Sequence, residues 1–146
     1  MTIVASARGR LGPVMTGLAL LGLAVAGYLL AVRLLGEAPA CGPVKGCDTV
    51  AASPYATLFG VPVALYGVLY SLVLTGACAI WSGAGDRRAL YVAYGLGLVG
   101  ILAVAYLTYL EIFVIEAICV WCVTYAVTII AGFIVVAFVA WQTAED

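Results

Sequence analysis

A chain of 146 residues that is 66% hydrophobic and 9% charged is too apolar to be soluble unless most of its surface faces lipid. Six Lys and Arg against seven Asp and Glu leave a net charge of -1, which excludes a basic surface for nucleic acid. The sequence has no His and no Asn, so the commonest transition-metal ligand and the usual general base are missing, while five Cys leave thiol chemistry as the reactive resource.

In chain order, residues 1–12 read as a short polar lead. Four apolar runs follow, at residues 13–35, 61–81, 89–110 and 118–141, each near the 20 or so residues that a helix needs to cross the hydrocarbon core. The first run is longer than the apolar part of a secretory signal and is read as a retained helix. The last residues, "TAED", read as a polar tail. Gly and Ala recur within the runs, as in "GLALLGLAVAG" and "YGLGLVG", which suits helices packed closely through small residues. The expected fold is an all-α membrane protein. It is a four-transmembrane-helix bundle, one domain over residues 1–146, with a short amphipathic or re-entrant helix in its first outer loop.

That loop, residues 36–60, opens in a Gly- and Pro-rich stretch. It continues as "CDTVAASPYATLF", whose apolar Val50, Ala51, Tyr55, Leu58 and Phe59 predict an amphipathic helical segment at the membrane face, bent at Pro54. Pro62 suits the first turn of the second span. "SGAGDRRA" predicts a tight turn between antiparallel helices. Arg8 and Arg10 precede the first span, and Arg87 and Arg88 lie between the second and third. The positive-inside rule therefore puts both termini in the cytoplasm of a multi-pass protein of the cell (inner or plasma) membrane. The two cysteine-bearing connections, residues 36–60 and 111–118, then face the extracytoplasmic side, where disulfides persist.

Cys119 and Cys122 open the last span one turn apart on one face, where free N–H groups and the helix dipole favour a thiolate. Cys41 and Cys47 have five residues between them in the first loop, with Gly42, Pro43 and Gly46 expected to make it flexible. Two pairs on one membrane face suggest an electron relay. The alternatives are a structural or metal-binding membrane module, with static disulfides or a Cys₄ zinc site. Zinc is disfavoured by the five-residue gap and the oxidising side, and a staple within one helical turn links nothing distant. No metal is expected. Cys78, near the other end of the second span, reads as a buried apolar residue.

Taken together, the first-loop pair, Ser53 six residues after Cys47, the stretch "SPYATLFGVPVALYGVLYS" and a C-x-x-C at the start of the fourth helix resemble the vitamin K epoxide reductase family. The DsbB-like family has its C-x-x-C in the first outer loop, the opposite order. The resemblance implies a membrane thiol oxidoreductase that passes electrons from a reduced thioredoxin-fold partner to a quinone in the bilayer, supporting disulfide formation. The quinone would be of the menaquinone, ubiquinone or vitamin K type. It implies Cys119 and Cys122 as the active pair, with Cys122 meeting the quinone. Cys41 and Cys47 are implied as the shuttle pair, Cys47 attacking Cys119, and Ser53 as a residue beside the quinone head. The thioredoxin-like domain fused to some bacterial relatives is not expected, so the partner is expected to be a separate protein.

Vertebrate members hold the quinone with an Asn of the second helix. Here Tyr66, Tyr70 or Ser71 are the stand-ins. Tyr125, three residues after Cys122 rather than four, is a pocket candidate or a packing tyrosine. Phe59, Leu58 and Tyr55 either cover the quinone or anchor the loop at the membrane surface. Trp121 is read as an interface anchor or as shaping the thiol environment. Glu111 and Glu116 read as solvated interface charges, with proton handling near a reduced quinone as the alternative.

Overall fold

The computed structural model describes residues 2–146. Four long helices, each long and apolar enough to cross a membrane, form the bundle the composition predicts: α1 (Thr2–Leu34), α3 (Val63–Ala84), α4 (Arg87–Tyr109) and α5 (Val120–Glu145). Between α1 and α3 lie a short helix, α2 (Gly46–Ala52), a 3₁₀ turn at Pro54–Ala56 and a two-stranded hairpin, β1 (Thr57–Leu58) and β2 (Val61–Pro62). A π-helical turn, Leu110–Ile115, extends α4. In the bundle α1 packs against α3 and α5, and α4 packs against α5 and α3.

The helices are held by small residues and by a core confined to one half of the bundle. Met15 and Ala19 of α1, Leu74, Cys78 and Trp81 of α3, Leu90 and Ala93 of α4, and Val136 and Val139 of α5 form that core. Cys78 is accordingly a buried free thiol among apolar neighbours, as expected. Gly97 and Gly100 of α4 sit where a Cβ would run into the Phe133 ring and the Tyr70 hydroxyl, so only glycine admits these side chains against the α4 backbone. Large apolar side chains such as Leu102, Ile134 and Phe138 point outward, as a lipid-facing surface requires.

The turn between α3 and α4 forms as its residues predict. Gly85 closes α3 at φ 71, and the Asp86 carboxylate accepts from the Arg88 backbone N–H to cap α4. Pro62, expected in the first turn of α3, stands one residue earlier, at its N-cap.

Three boundaries differ from the sequence reading. Residues expected to be a polar lead are helical from Thr2, running through Pro13, because this end of α1 docks on α3: Gly12 packs on Ser82 and Gly85 on the Arg8 guanidinium. The tail continues α5 to Glu145, with Thr143 buried and its hydroxyl donating to the Val139 carbonyl. The third difference is the connection before Cys119, much of which is helical rather than a loop.

The amphipathic segment of the first loop divides where its prolines require. Helix α2 ends at Ala52, ahead of Pro54. Its last carbonyls are taken by the Ser53 N–H and hydroxyl, both to Val50, and by Arg33, which donates to Ala51 at 2.7 Å. The hairpin turn is Phe59–Gly60, with φ 53 and 77; positive φ at both central residues is the type I′ requirement.

Candidate functional site

The half of the bundle opposite the core holds the other four cysteines and a cavity. Cys41 and Cys47 are joined in a disulfide, while Cys119 and Cys122 are free thiols. The sulfur atoms of Cys41, Cys47 and Cys119 all lie within 4.8 Å of one another, so the loop pair reaches the fourth helix. Cys41 is half-buried, whereas Cys47 and Cys119 are only 1% and 2% exposed. The water-facing member of the loop pair is thus Cys41 and the inward member Cys47.

Three local devices produce this juxtaposition. Gly46 meets the backbone of Ile118, where a Cβ would overlap the Ile118 carbonyl and amide nitrogen; its role is close approach, not the flexibility expected of it. Trp121 packs on Tyr28 at a tilt of 42° with ring centroids 4.5 Å apart, and its indole N–H donates to the Ala40 carbonyl at 2.8 Å. The Tyr28 hydroxyl accepts from the Ala40 N–H at 3.0 Å. The residue preceding Cys41 is therefore gripped at both backbone groups, and Trp121 holds the loop in addition to any anchoring role.

Cys119 is the N-cap of α5, and Cys122 lies one turn inside it. The Cys122 thiol, hydrogen-bonded to the Cys119 sulfur, lowers the Cys119 pKa to about 7; burial opposes this, and the backbone N–H groups of Cys122 and Trp121 add to the lowering. The thiolate fraction therefore falls about tenfold for each pH unit below about 7. Modification of Cys119 by a small thiol reagent, followed by mass spectrometry across pH, is expected to rise to half its maximum near pH 7. Cys122→Ala, which removes the principal donor, moves that midpoint upward. An unmoved midpoint would mean that Cys122 does not set the Cys119 thiolate.

The connection corrects one expectation. Glu111 is not a solvated interface charge: it is 6% exposed, and its carboxylate accepts from the Cys119 backbone N–H at 3.3 Å and contacts the Cys122 thiol. The π-helical turn brings it inward. That turn closes with Glu116 at φ 56 and an Ala117 N–H bond to the Glu111 carbonyl. Glu116 is exposed, as expected.

A cavity of about 520 Å³ opens beneath the sulfur cluster, in the size range of small-molecule sites. Cys47, Cys119 and Cys122 border it, together with Ser53, Tyr55, Leu58, Tyr66, Tyr70, Tyr125 and Glu111. Its wall is predominantly apolar, with a few hydroxyls. Tyr66 donates to the Leu58 carbonyl at 3.2 Å, tying α3 to the hairpin. Tyr70 crosses to the Leu96 carbonyl at 2.9 Å. Tyr125 donates to the Gly67 carbonyl at 3.3 Å and lies 3.0 Å from the Ser71 hydroxyl, which donates to it.

Of the expected pocket residues, Phe59 and Ser71 are not in the lining. Phe59 occupies the hairpin tip and is 92% exposed, because the positive-φ turn points it away from the bundle. Ser71 is buried behind Tyr125. Glu111 is the site residue that sequence reasoning assigned to solvent.

No curated protein matches the chain. The protein-family model described as the Vitamin K epoxide reductase family matches residues 13–137, nearly the whole bundle that frames these cysteines, and the chain belongs to that family of membrane oxidoreductases.

Proposed function

We propose that the protein is a quinone-dependent thiol–disulfide oxidoreductase that supplies oxidising equivalents for disulfide formation. The observation that carries this reading is the meeting of the Cys41–Cys47 disulfide, the free thiol of Cys119 and an apolar cavity at one end of the bundle. A reduced thioredoxin-fold partner, a separate protein, gives two electrons to Cys41–Cys47 through the exposed edge of Cys41. Cys47 then attacks Cys119 of the Cys119–Cys122 disulfide and releases Cys122, and Cys41 displaces Cys119 to re-form the loop disulfide. The reduced Cys119–Cys122 pair finally gives two electrons and two protons to a quinone, leaving a disulfide and a quinol.

Ser53, Tyr66, Tyr70 and Tyr125 border the space a quinone of the menaquinone, ubiquinone or vitamin K type would fill, while Phe59 fits the membrane-surface role instead. The whole chain acts as one transmembrane domain of a plasma or inner membrane, with its cysteines on the extracytoplasmic side and both termini cytoplasmic. The Arg8 and Gly85 contact supports the latter part, since it joins the basic lead to the turn carrying Arg87 and Arg88.

A menaquinone or ubiquinone analogue added anaerobically to the dithiol-reduced protein, freed of excess dithiol, is expected to be consumed with formation of Cys119–Cys122. Protein with titratable thiols that consumes no quinone would refute the reading. Stoichiometric zinc in the purified protein would favour the static, metal-binding module instead.

A further inference from the structure

Glu111 is a buried ionisable group for which the exchange steps have no use. A carboxylate in an apolar, membrane-level site carries a desolvation cost that structure alone seldom maintains. One hydrogen bond to the Cys119 N–H accounts for one oxygen lone pair. The remaining contact is with the Cys122 thiol, and the group borders the same cavity as that sulfur. Its placement also depends on a local irregularity, the π-helical turn Leu110–Ile115, a form often found at functional sites.

We infer that Glu111 is the catalytic proton carrier between the Cys122 thiol and the quinone oxygen. The inference rests on the quinone-reductase reading and adds the route of one proton. Cys122 loses its proton to the Glu111 carboxylate as its sulfur becomes the electron donor. The S–S bond to Cys119 forms, the two electrons released pass to the quinone, and Glu111 delivers the proton to a quinone oxygen and returns to carboxylate. The second proton, lost from Cys119 to water, is taken up from water by the other oxygen. The sum is dithiol plus quinone giving disulfide plus quinol. The Cys122 thiol borders the apolar cavity that the quinone would fill, so a carboxylate beside it gives the proton a direct route to the quinone oxygen rather than one through solvent.

The test is anaerobic stopped-flow reduction of menadione by fully reduced protein. Glu111→Gln keeps an acceptor for the Cys119 N–H but carries no exchangeable acidic proton, and is expected to slow quinone reduction on the order of 100-fold. Glu111→Ala is expected to be equally slow and to recover with added formate, whereas Glu111→Gln gains nothing from it. In both variants diamide is expected to form the Cys119–Cys122 disulfide to the wild-type extent, showing the pair is still aligned. Wild-type rates in Glu111→Gln, or no formate recovery in a diamide-competent Glu111→Ala, would overturn the inference while leaving the quinone-reductase reading intact. Failure of the wild-type protein to reduce menadione would instead remove that reading.

Discussion

Cys122→Ser is expected to bring quinone reduction down to background, a loss of roughly 10³-fold or more, whichever reductant is supplied. Cys41→Ser is expected to stop only the reaction driven by a thioredoxin-fold donor. The asymmetry follows from where the sulfurs stand. Cys122 borders the cavity one helical turn inside Cys119, and without it the active pair has no disulfide to form. Cys41 is the more exposed member of the loop pair and, in the proposed function, the one a protein partner would reach. A small dithiol is expected to reduce Cys119–Cys122 directly, so Cys41→Ser is expected to retain that turnover. With Cys41 gone, Cys47 lacks its resolving thiol. A Cys47–Cys119 mixed disulfide is then expected in a non-reducing peptide map, as the 4.8 Å limit on their separation requires. Donor-driven activity that is equal in the two variants would sink the assignment of shuttle and active pairs.

Much of this site is legible in sequence because it depends on order along the chain. Length and hydropathy locate four spans, and the C-x-x-C at the start of an apolar run places Cys119 and Cys122 at a helix N-terminus. What is not legible depends on local departures from regular structure. Glu111, near the end of an apolar run and in a segment carrying a second glutamate, has the pattern of an interface charge; a π-helical turn reverses its direction, and no periodicity announces such a turn. Phe59 follows an apolar pattern that suggests a membrane-facing helix, yet the type I′ turn with Gly60 sends it into the open. Trp121 has the composition of an interfacial anchor, and its bond to Ala40 spans 81 positions of chain. Gly46 resembles a loop glycine in every local respect, and its actual constraint comes from Ile118, far along the chain.

Gly46→Ala is therefore expected to be far more damaging than a loop alanine substitution normally is. The added methyl meets the Ile118 carbonyl and amide, which are backbone and adjoin the N-cap cysteine, so they cannot turn aside as a side chain tip would. Helix α2 must move instead, and with it Cys47, the residue that follows. Thiol–disulfide exchange requires the attacking sulfur in line and near contact, and a displacement of about 1 Å costs about 10²-fold in rate. Donor-driven turnover is expected to fall by about that factor. Quinone reduction by a small dithiol acting on Cys119–Cys122 is expected to stay near wild type, because neither those sulfurs nor Glu111 belongs to α2. Gly42→Ala is the comparison: at φ 59 with open space where its Cβ would be, it costs about 1–2 kcal/mol of backbone strain and does not push α2 from Ile118. Stopped-flow measurement of the Cys47-to-Cys119 transfer separates the two. Wild-type transfer in Gly46→Ala would show that the seating of α2 on Ile118 does not control the meeting of the sulfurs.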